Sequence, residues 1–247
     1  MKTHVIMLLD ESSSMVSYRS AVVETFNNYV DKLKEGKRTW LSLFKFAGNR
    51  MRGVGYDPFN FSAAESEAGA LRTVFENRRV TEAYPLTIDQ YKPNGWTPLY
   101  DSIGELIQRT KKRLPKKAKV LFVIHTDGQE NTSRKYNQER VKNLIKRMEK
   151  KRGWTFVYLG EGAAAWNAGY DFGVDNVANF SSTLRGQSMD KLATATMAYS
   201  CSNNVGGAFG ATKTFYADAN LTADDIDPNE HVSITPVAQD DIEADNS

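Results

Sequence analysis

Short apolar runs alternate along this chain with stretches whose apolar residues recur every three or four positions. The first run, His4-Val5-Ile6-Met7-Leu8-Leu9, is bounded by a polar cluster and reads as a buried strand feeding a loop. Val22, Phe26, Val30 and Leu33 then recur at helical spacing and predict a long amphipathic helix from Met15 to Lys34, punctuated by Gly36. Thr39 to Phe46 reads as a second strand. After it, residues 47–70 mix small, turn-forming and polar residues, as expected of an insertion or long loop. Leu99, Ile103, Leu106 and Ile107 stripe the next helix, which Pro115 ends. Val120 to Ile124 is a strand whose continuous apolar character implies cover on both faces. Val141, Leu144, Ile145 and Met148 mark a further helix, and Thr155 to Leu159 a further strand. A short strand near Asn176 to Phe180 and a helix containing Met189, Leu192, Met197 and Cys201 complete the pattern.

Strands alternating with helices predict an α/β fold with a mostly parallel sheet and crossover helices. In such folds ligands gather outside the carboxyl ends of the strands. Two loops that follow strands carry chemistry there. Asp10-Glu11-Ser12-Ser13-Ser14 places carboxylates and hydroxyls, all oxygen groups, directly after the first strand. Oxygen donors suit a hard cation such as Mg²⁺ or Mn²⁺ and suit zinc or copper poorly. Asp10, Ser12 and Ser14 alternate, so in an extended loop they point to one side, with Glu11 and Ser13 on the other. His125-Thr126-Asp127-Gly128 follows the Val120 strand, and Gly95-Trp96-Thr97-Pro98 opens a helix, with Pro98 suited to its first turn. Thr97 is therefore a helix N-cap, a ligand, or both.

The Asp-x-Ser-x-Ser pattern at Asp10, Ser12 and Ser14, with Gly95-Trp96-Thr97-Pro98-Leu99-Tyr100 and His125-Thr126-Asp127-Gly128 in the same chain order, resembles the metal-ion-dependent adhesion site of von Willebrand factor A domains. The resemblance covers roughly residues 4–205, lapses over 47–70, and is closest to stand-alone bacterial and phage members. It implies a doubly wound, Rossmann-like sheet with helices on both faces and one antiparallel edge strand, here Leu71 to Phe75. It implies that Ser12, Ser14 and Thr97 touch a Mg²⁺ directly, with Asp10 and Asp127 acting largely through water. The implied partner is another protein that offers an Asp or Glu to the metal.

Composition narrows the alternatives. Apolar residues make up 40% and charged residues 25% of 247 positions, ordinary values for a globular protein of one large domain or two small ones. The start lacks a secretory pattern and no run approaches a membrane span, so a cytoplasmic protein of bacterial or phage origin is expected. The single cysteine, Cys201, excludes an internal disulfide and fits a reducing compartment. Charge is uneven: of 30 acidic residues nine follow Lys213, which leaves 21 against 32 basic residues in the body. The chain thus divides into a domain over 1–205, and a Gly-rich linker with an acidic tail over 206–247, where only Val232 to Val237 alternates like a strand.

Other functions have weaker signatures. Basic clusters at Lys111-Lys112-Arg113, Lys116-Lys117, Lys119 and Lys146 to Arg152 allow a nucleic-acid face, but they are also the ordinary solvated sides of helices. No zinc-finger or RNA-binding aromatic motif accompanies them. A metal-dependent hydrolase is disfavoured because Ser12 stands where an Asp-x-Asp motif needs its second acid, and no nucleophile elbow or phosphate loop occurs. His125 reads as a core or edge histidine. Gly160-Glu161-Gly162-Ala163-Ala164-Ala165 approaches a dinucleotide fingerprint, but no acid sits at the usual distance, and helix packing accounts for its small residues. The tail is read as a solubilising segment or as a competitor for the metal or the basic surface.

Overall fold

The computed structural model describes residues 2–36, 38–48, 70–127, 130–160, 168–179, 185–202 and 214–221. Six strands, β1 (Thr3–Asp10), β2 (Thr39–Phe46), β3 (Leu71–Arg79), β4 (Lys119–His125), β5 (Thr155–Gly160) and β6 (Asn176–Asn179), form one sheet. Its helices are α1 (Arg19–Leu33), α2 (Leu99–Arg113), α3 (Gln138–Arg152) and α4 (Arg185–Cys201). The strand order is β3-β2-β1-β4-β5-β6, parallel throughout except for β3, which runs antiparallel along the edge against β2. The chain winds outward from β1 in one direction and from β4 in the other. The winding therefore reverses between β1 and β4, which opens a crevice beyond their carboxyl ends.

The period of two in β1 sorts the core into two layers. Val5, Met7 and Leu9 pack on one face with Val22, Phe26, Tyr29 and Val30 of α1, and with Met189 and Leu192 of α4. Ile6 and Leu8 pack on the other with Leu99, Ile103 and Ile107 of α2, and with Val141, Ile145 and Met148 of α3. Both sheet faces are covered, which is why β4 is apolar without a break from Val120 to Ile124 and buried along its whole length.

The elements depart from the expected boundaries in instructive ways. The first helix starts as a 3-10 turn over Ser13–Tyr18, and the α-helix begins only at Arg19. The serine hydroxyls there are engaged outside the turn, Ser14 with Asp127 and Ser13 with the Gly95 N–H, and serine has a low preference for helix interiors. β3 continues to Arg79, well past Phe75. Its last residues are polar and lie at the sheet edge, so no apolar pattern marked them. Glu76 instead takes Arg109 and Arg113 of α2 at 2.6 and 2.5 Å. Asn77, at a φ of 53°, sits at an irregularity in the β2–β3 ladder and donates its N–H to Ser42 Oγ. Beyond the boundary expected at residue 205, Phe215 and Tyr216 are buried against the α1–α4 layer, with Leu221 packed partly buried beside them. The insertion over 47–70 falls almost wholly outside the described residues, as do Glu161 to Ala165 of the glycine-rich run and Val232 to Val237.

The basic clusters close α2 with Lys111, Lys112 and Arg113, and α3 with Lys150, Lys151 and Arg152. Positive charge at a helix C-terminus offsets the partial negative charge of its last carbonyls. α3 is closed by Gly153 in the left-handed region (φ 62°), whose N–H reaches Glu149 O at 2.9 Å. No helix among the described residues is long and apolar enough to cross a membrane.

Gly104 tests how tightly α2 is packed. A Cβ built there would lie 2.6 Å from three ring atoms of Tyr136. Helix propensity alone favours Ala over Gly by about 1 kcal/mol. We expect the opposite sign, with Gly104→Ala losing about 1–3 kcal/mol of unfolding free energy in denaturant titration, because the ring must be driven out of its site. A gain in stability would show that Tyr136 swings away freely.

Candidate metal centre

Asp10 ends β1, and Thr126-Asp127 follows β4, the neighbouring parallel strand. Both therefore emerge at the point where the winding reverses. Asp10 and Glu11 are each fully buried, an arrangement that requires partners for both carboxylates. Asp10 accepts the Ser12 N–H on Oδ1 at 2.7 Å and the Thr126 hydroxyl on Oδ2 at 2.6 Å. The first bond curls the loop so that Ser12 and Ser14 lie side by side, their hydroxyl oxygens 3.0 Å apart. Ser14 then donates to Asp127 Oδ1 at 2.8 Å. Four of the five expected residues, Asp10, Ser12, Ser14 and Asp127, are joined in this way across 113 residues of sequence.

Thr97 lies in the adjoining loop, 3% exposed. Among the described contacts it has no direct bond to the other four. Its loop is fastened to theirs by reciprocal bonds: Ser13 N–H to Gly95 O at 3.0 Å, and Gly95 N–H to Ser13 Oγ at 2.9 Å. Asn131 fixes its backbone twice, accepting the Thr97 N–H at 2.8 Å and donating to Thr97 O at 3.2 Å. Thr97 is not the N-cap of α2. That position falls on Pro98, which makes no side-chain cap. The first turn of α2 is satisfied from elsewhere, with Glu130 Oε2 accepting from Tyr100 N at 2.8 Å and Ser133 Oγ from Asp101 N at 3.0 Å. In return Asp101 accepts the N–H groups of Arg134, Lys135 and Tyr136.

Glu11 points away from this cluster. Lys45 of β2 reaches its Oε1 at 2.9 Å and Arg72 of β3 its Oε2 at 2.8 Å, while the Lys92 N–H donates to Oε1 at 2.6 Å. The Tyr91 hydroxyl donates to the Asp10 carbonyl, and burial raises its pKa well above the usual phenol value. The loop is thus clamped from below by strands and from the side by residues 91–95.

The electrostatics favour a cation. Burial pushes the Asp10 carboxyl up to about 6, against the pull of its bonds from Thr126 and Ser12, and the Asp127 carboxylate adds to the rise. Both hydrogen-bond donors to Asp10 described above are neutral. The donor set is all oxygen, the kind that suits a hard divalent cation. The Ser12–Ser14 and Ser14–Asp127 oxygens lie at hydrogen-bond separations of 3.0 and 2.8 Å. His125 is buried in β4, and burial lowers its imidazole to about 4. Thr126, Asn131 and Glu130 were not singled out in the sequence. Thr126 alone had a local signal, a hydroxyl between a strand end and Asp127.

No family model and no curated protein matches the sequence. Among solved structures the chain is similar to the pilus adhesin SpaC of Lactobacillus rhamnosus GG in its open conformation, at 11% identity and a TM-score of 0.57, over 81% of this chain and 30% of that one. It is similar to a von Willebrand factor type A from Catenulispora acidiphila at 11% identity and a TM-score of 0.51, over 80% and 43% of the two chains. A match to proximal thread matrix protein 1 from the mussel byssus, at 14% identity and a TM-score of 0.48, covers 79% and 46%. The chain thus spans less than half the length of each of these three proteins. Sheet order, antiparallel edge strand and the likenesses to the SpaC adhesin and the Catenulispora protein define the fold as that of the von Willebrand factor A domain.

The Glu11 clamp yields a direct test. Glu11→Gln keeps the side chain's size but removes the countercharge of Lys45 and Arg72. Breaking such a buried pair costs about 3–5 kcal/mol, and the low end is expected because the Arg72 side chain is 30% exposed. Chemical denaturation should show a loss of that order, and a loss under about 1 kcal/mol, typical of surface pairs, would show that the clamp is only decorative.

Proposed function

We propose that the chain is a metal-dependent protein-interaction module. Asp10, Ser12, Ser14, Thr97 and Asp127 would hold Mg²⁺, with Mn²⁺ as the alternative, and the partner would be a protein offering an Asp or Glu side chain. The observation that carries this reading is the oxygen cluster at the winding reversal, brought together from loops after β1 and β4 and beside the start of α2. When bound, the cation supplies an electrophilic position that a partner's carboxylate fills. The chain's own part is to present neutral hydroxyls from Ser12 and Ser14, so that little of the positive charge is cancelled. Asp10 sets the loop's curl and Asp127 aims Ser14. Asn131 holds the Thr97 backbone in the adjoining loop.

This is a binding protein rather than an enzyme in our reading. His125, two residues before Asp127, is buried and held neutral, a poor candidate for a general base toward solvent. The lone cysteine fits a reducing compartment, in our reading the cytoplasm of a bacterium or of a phage-infected cell. Residues 1–205 would carry the interaction, with 47–70 an insertion and the acidic residues beyond Leu221 a separate tail.

Because three separated segments assemble the site, the unfolded chain cannot present it, and metal should stabilise the fold. At a metal concentration a hundredfold above Kd the gain is about 2.7 kcal/mol, read as a higher Tm in Mg²⁺ than in EDTA. Ser12→Ala and Asp127→Ala should each abolish the shift together with metal-dependent capture of a partner. Superimposable melting curves with and without Mg²⁺ would sink the reading.

A further inference from the structure

The rim of the candidate metal centre carries exposed apolar side chains. Val16, two residues past Ser14, is 58% exposed, and Trp96, adjacent to Thr97, is 45% exposed. The two loops are held together by the Ser13–Gly95 bonds, so Val16 and Trp96 stand on adjoining loops beside the centre. A ligand matched to this face has carboxylates beside an apolar side chain.

The chain contains that chemistry twice. Asp224-Asp225-Ile226-Asp227 and Asp240-Asp241-Ile242-Glu243 repeat an Asp-Asp-Ile-acid pattern, and no Lys or Arg occurs from residue 214 to the end. Reach separates the two copies. Phe215 N–H donates to Asn176 Oδ1 at the start of β6, and Leu221 N–H folds back to Tyr216 O. Leu221 therefore lies toward the amino ends of the strands, about 20 Å from the metal end for a six-residue strand such as β5. The nearer copy starts three residues beyond Leu221, a span of at most about 10 Å. The farther copy starts nineteen residues beyond, with a root-mean-square reach of about 24 Å for a flexible chain.

We propose that Asp240-Asp241-Ile242-Glu243 docks on the metal face of its own chain, an acid to the metal and Ile242 against Trp96 and Val16. The inference rests on the metal-centre reading. Tethering makes the contact intramolecular, so a modest intrinsic affinity suffices, and an external partner must displace the segment.

The test uses the full chain with Ser17→p-benzoylphenylalanine, a photo-crosslinker at an exposed position beside Val16. Equal parts of isotope-labelled and unlabelled chain are mixed and irradiated in Mg²⁺ and in EDTA, with the Tm of each sample recorded. We expect crosslinks to residues 240–247, within one chain and only in Mg²⁺. Asp241→Asn with Ile242→Ser should lower their yield about fivefold or more. Asp225→Asn with Ile226→Ser should leave it unchanged. Crosslinks that join labelled to unlabelled chains, that land on residues 224–227, or that persist equally in EDTA overturn the proposal. Absence of crosslinks with an intact Mg²⁺-dependent Tm shift overturns it while leaving the metal centre standing. Loss of both removes the metal centre, and this inference with it.

Discussion

Two adjacent carboxylates, Asp10 and Glu11, are fully buried at the end of a central strand, and much of the surrounding structure answers to that fact. Neighbouring side chains on extended backbone point to opposite sides, so one set of partners cannot satisfy both. Asp10 takes neutral donors on the crevice side, from Ser12 and Thr126. Glu11 takes cationic partners on the other, a hydrogen-bonded Lys45 and an ion pair with Arg72, together with a backbone N–H from Lys92. The asymmetry matters. The acid with fixed positive neighbours is a strut, and the acid with neutral neighbours is left with charge that a cation can answer.

The strut ties the loop to β2 and to the start of the antiparallel edge strand β3, which its pairing with Lys45 and Phe46 brings to the same end of the sheet. β3 also grips α2 through Glu76 with Arg109 and Arg113. The start of α2 is in turn satisfied by Glu130 and Ser133 from the loop after β4, which Asp101 fastens in exchange. Loops from β1, β4 and the α2 start are thus mutually braced before any ligand arrives. Hydroxyls held in this way lose little rotamer freedom on binding, which is the benefit of preorganisation.

Much of this was legible in the sequence. Apolar periodicity located the helices and the central strands, because a sheet covered on both faces forces continuous apolar strands and striped helices, whereas the edge strand was expected from the family resemblance. The carboxylate and hydroxyl alternation over Asp10, Ser12 and Ser14 defined the chemistry of the loop, since side-chain direction on extended backbone is local. The strand-end positions of Asp10 and Asp127 followed from the same pattern. What tertiary structure decided is the set of long-range partners. Nothing near Glu11 in sequence announces Lys45 or Arg72, and nothing near Pro98 announces that Glu130 and Ser133 replace the cap expected from Thr97. The end of β3 was hidden for a related reason. At an edge, polar side chains satisfy a strand through ion pairs across to another element, and pairing between distant segments leaves no periodicity in either one.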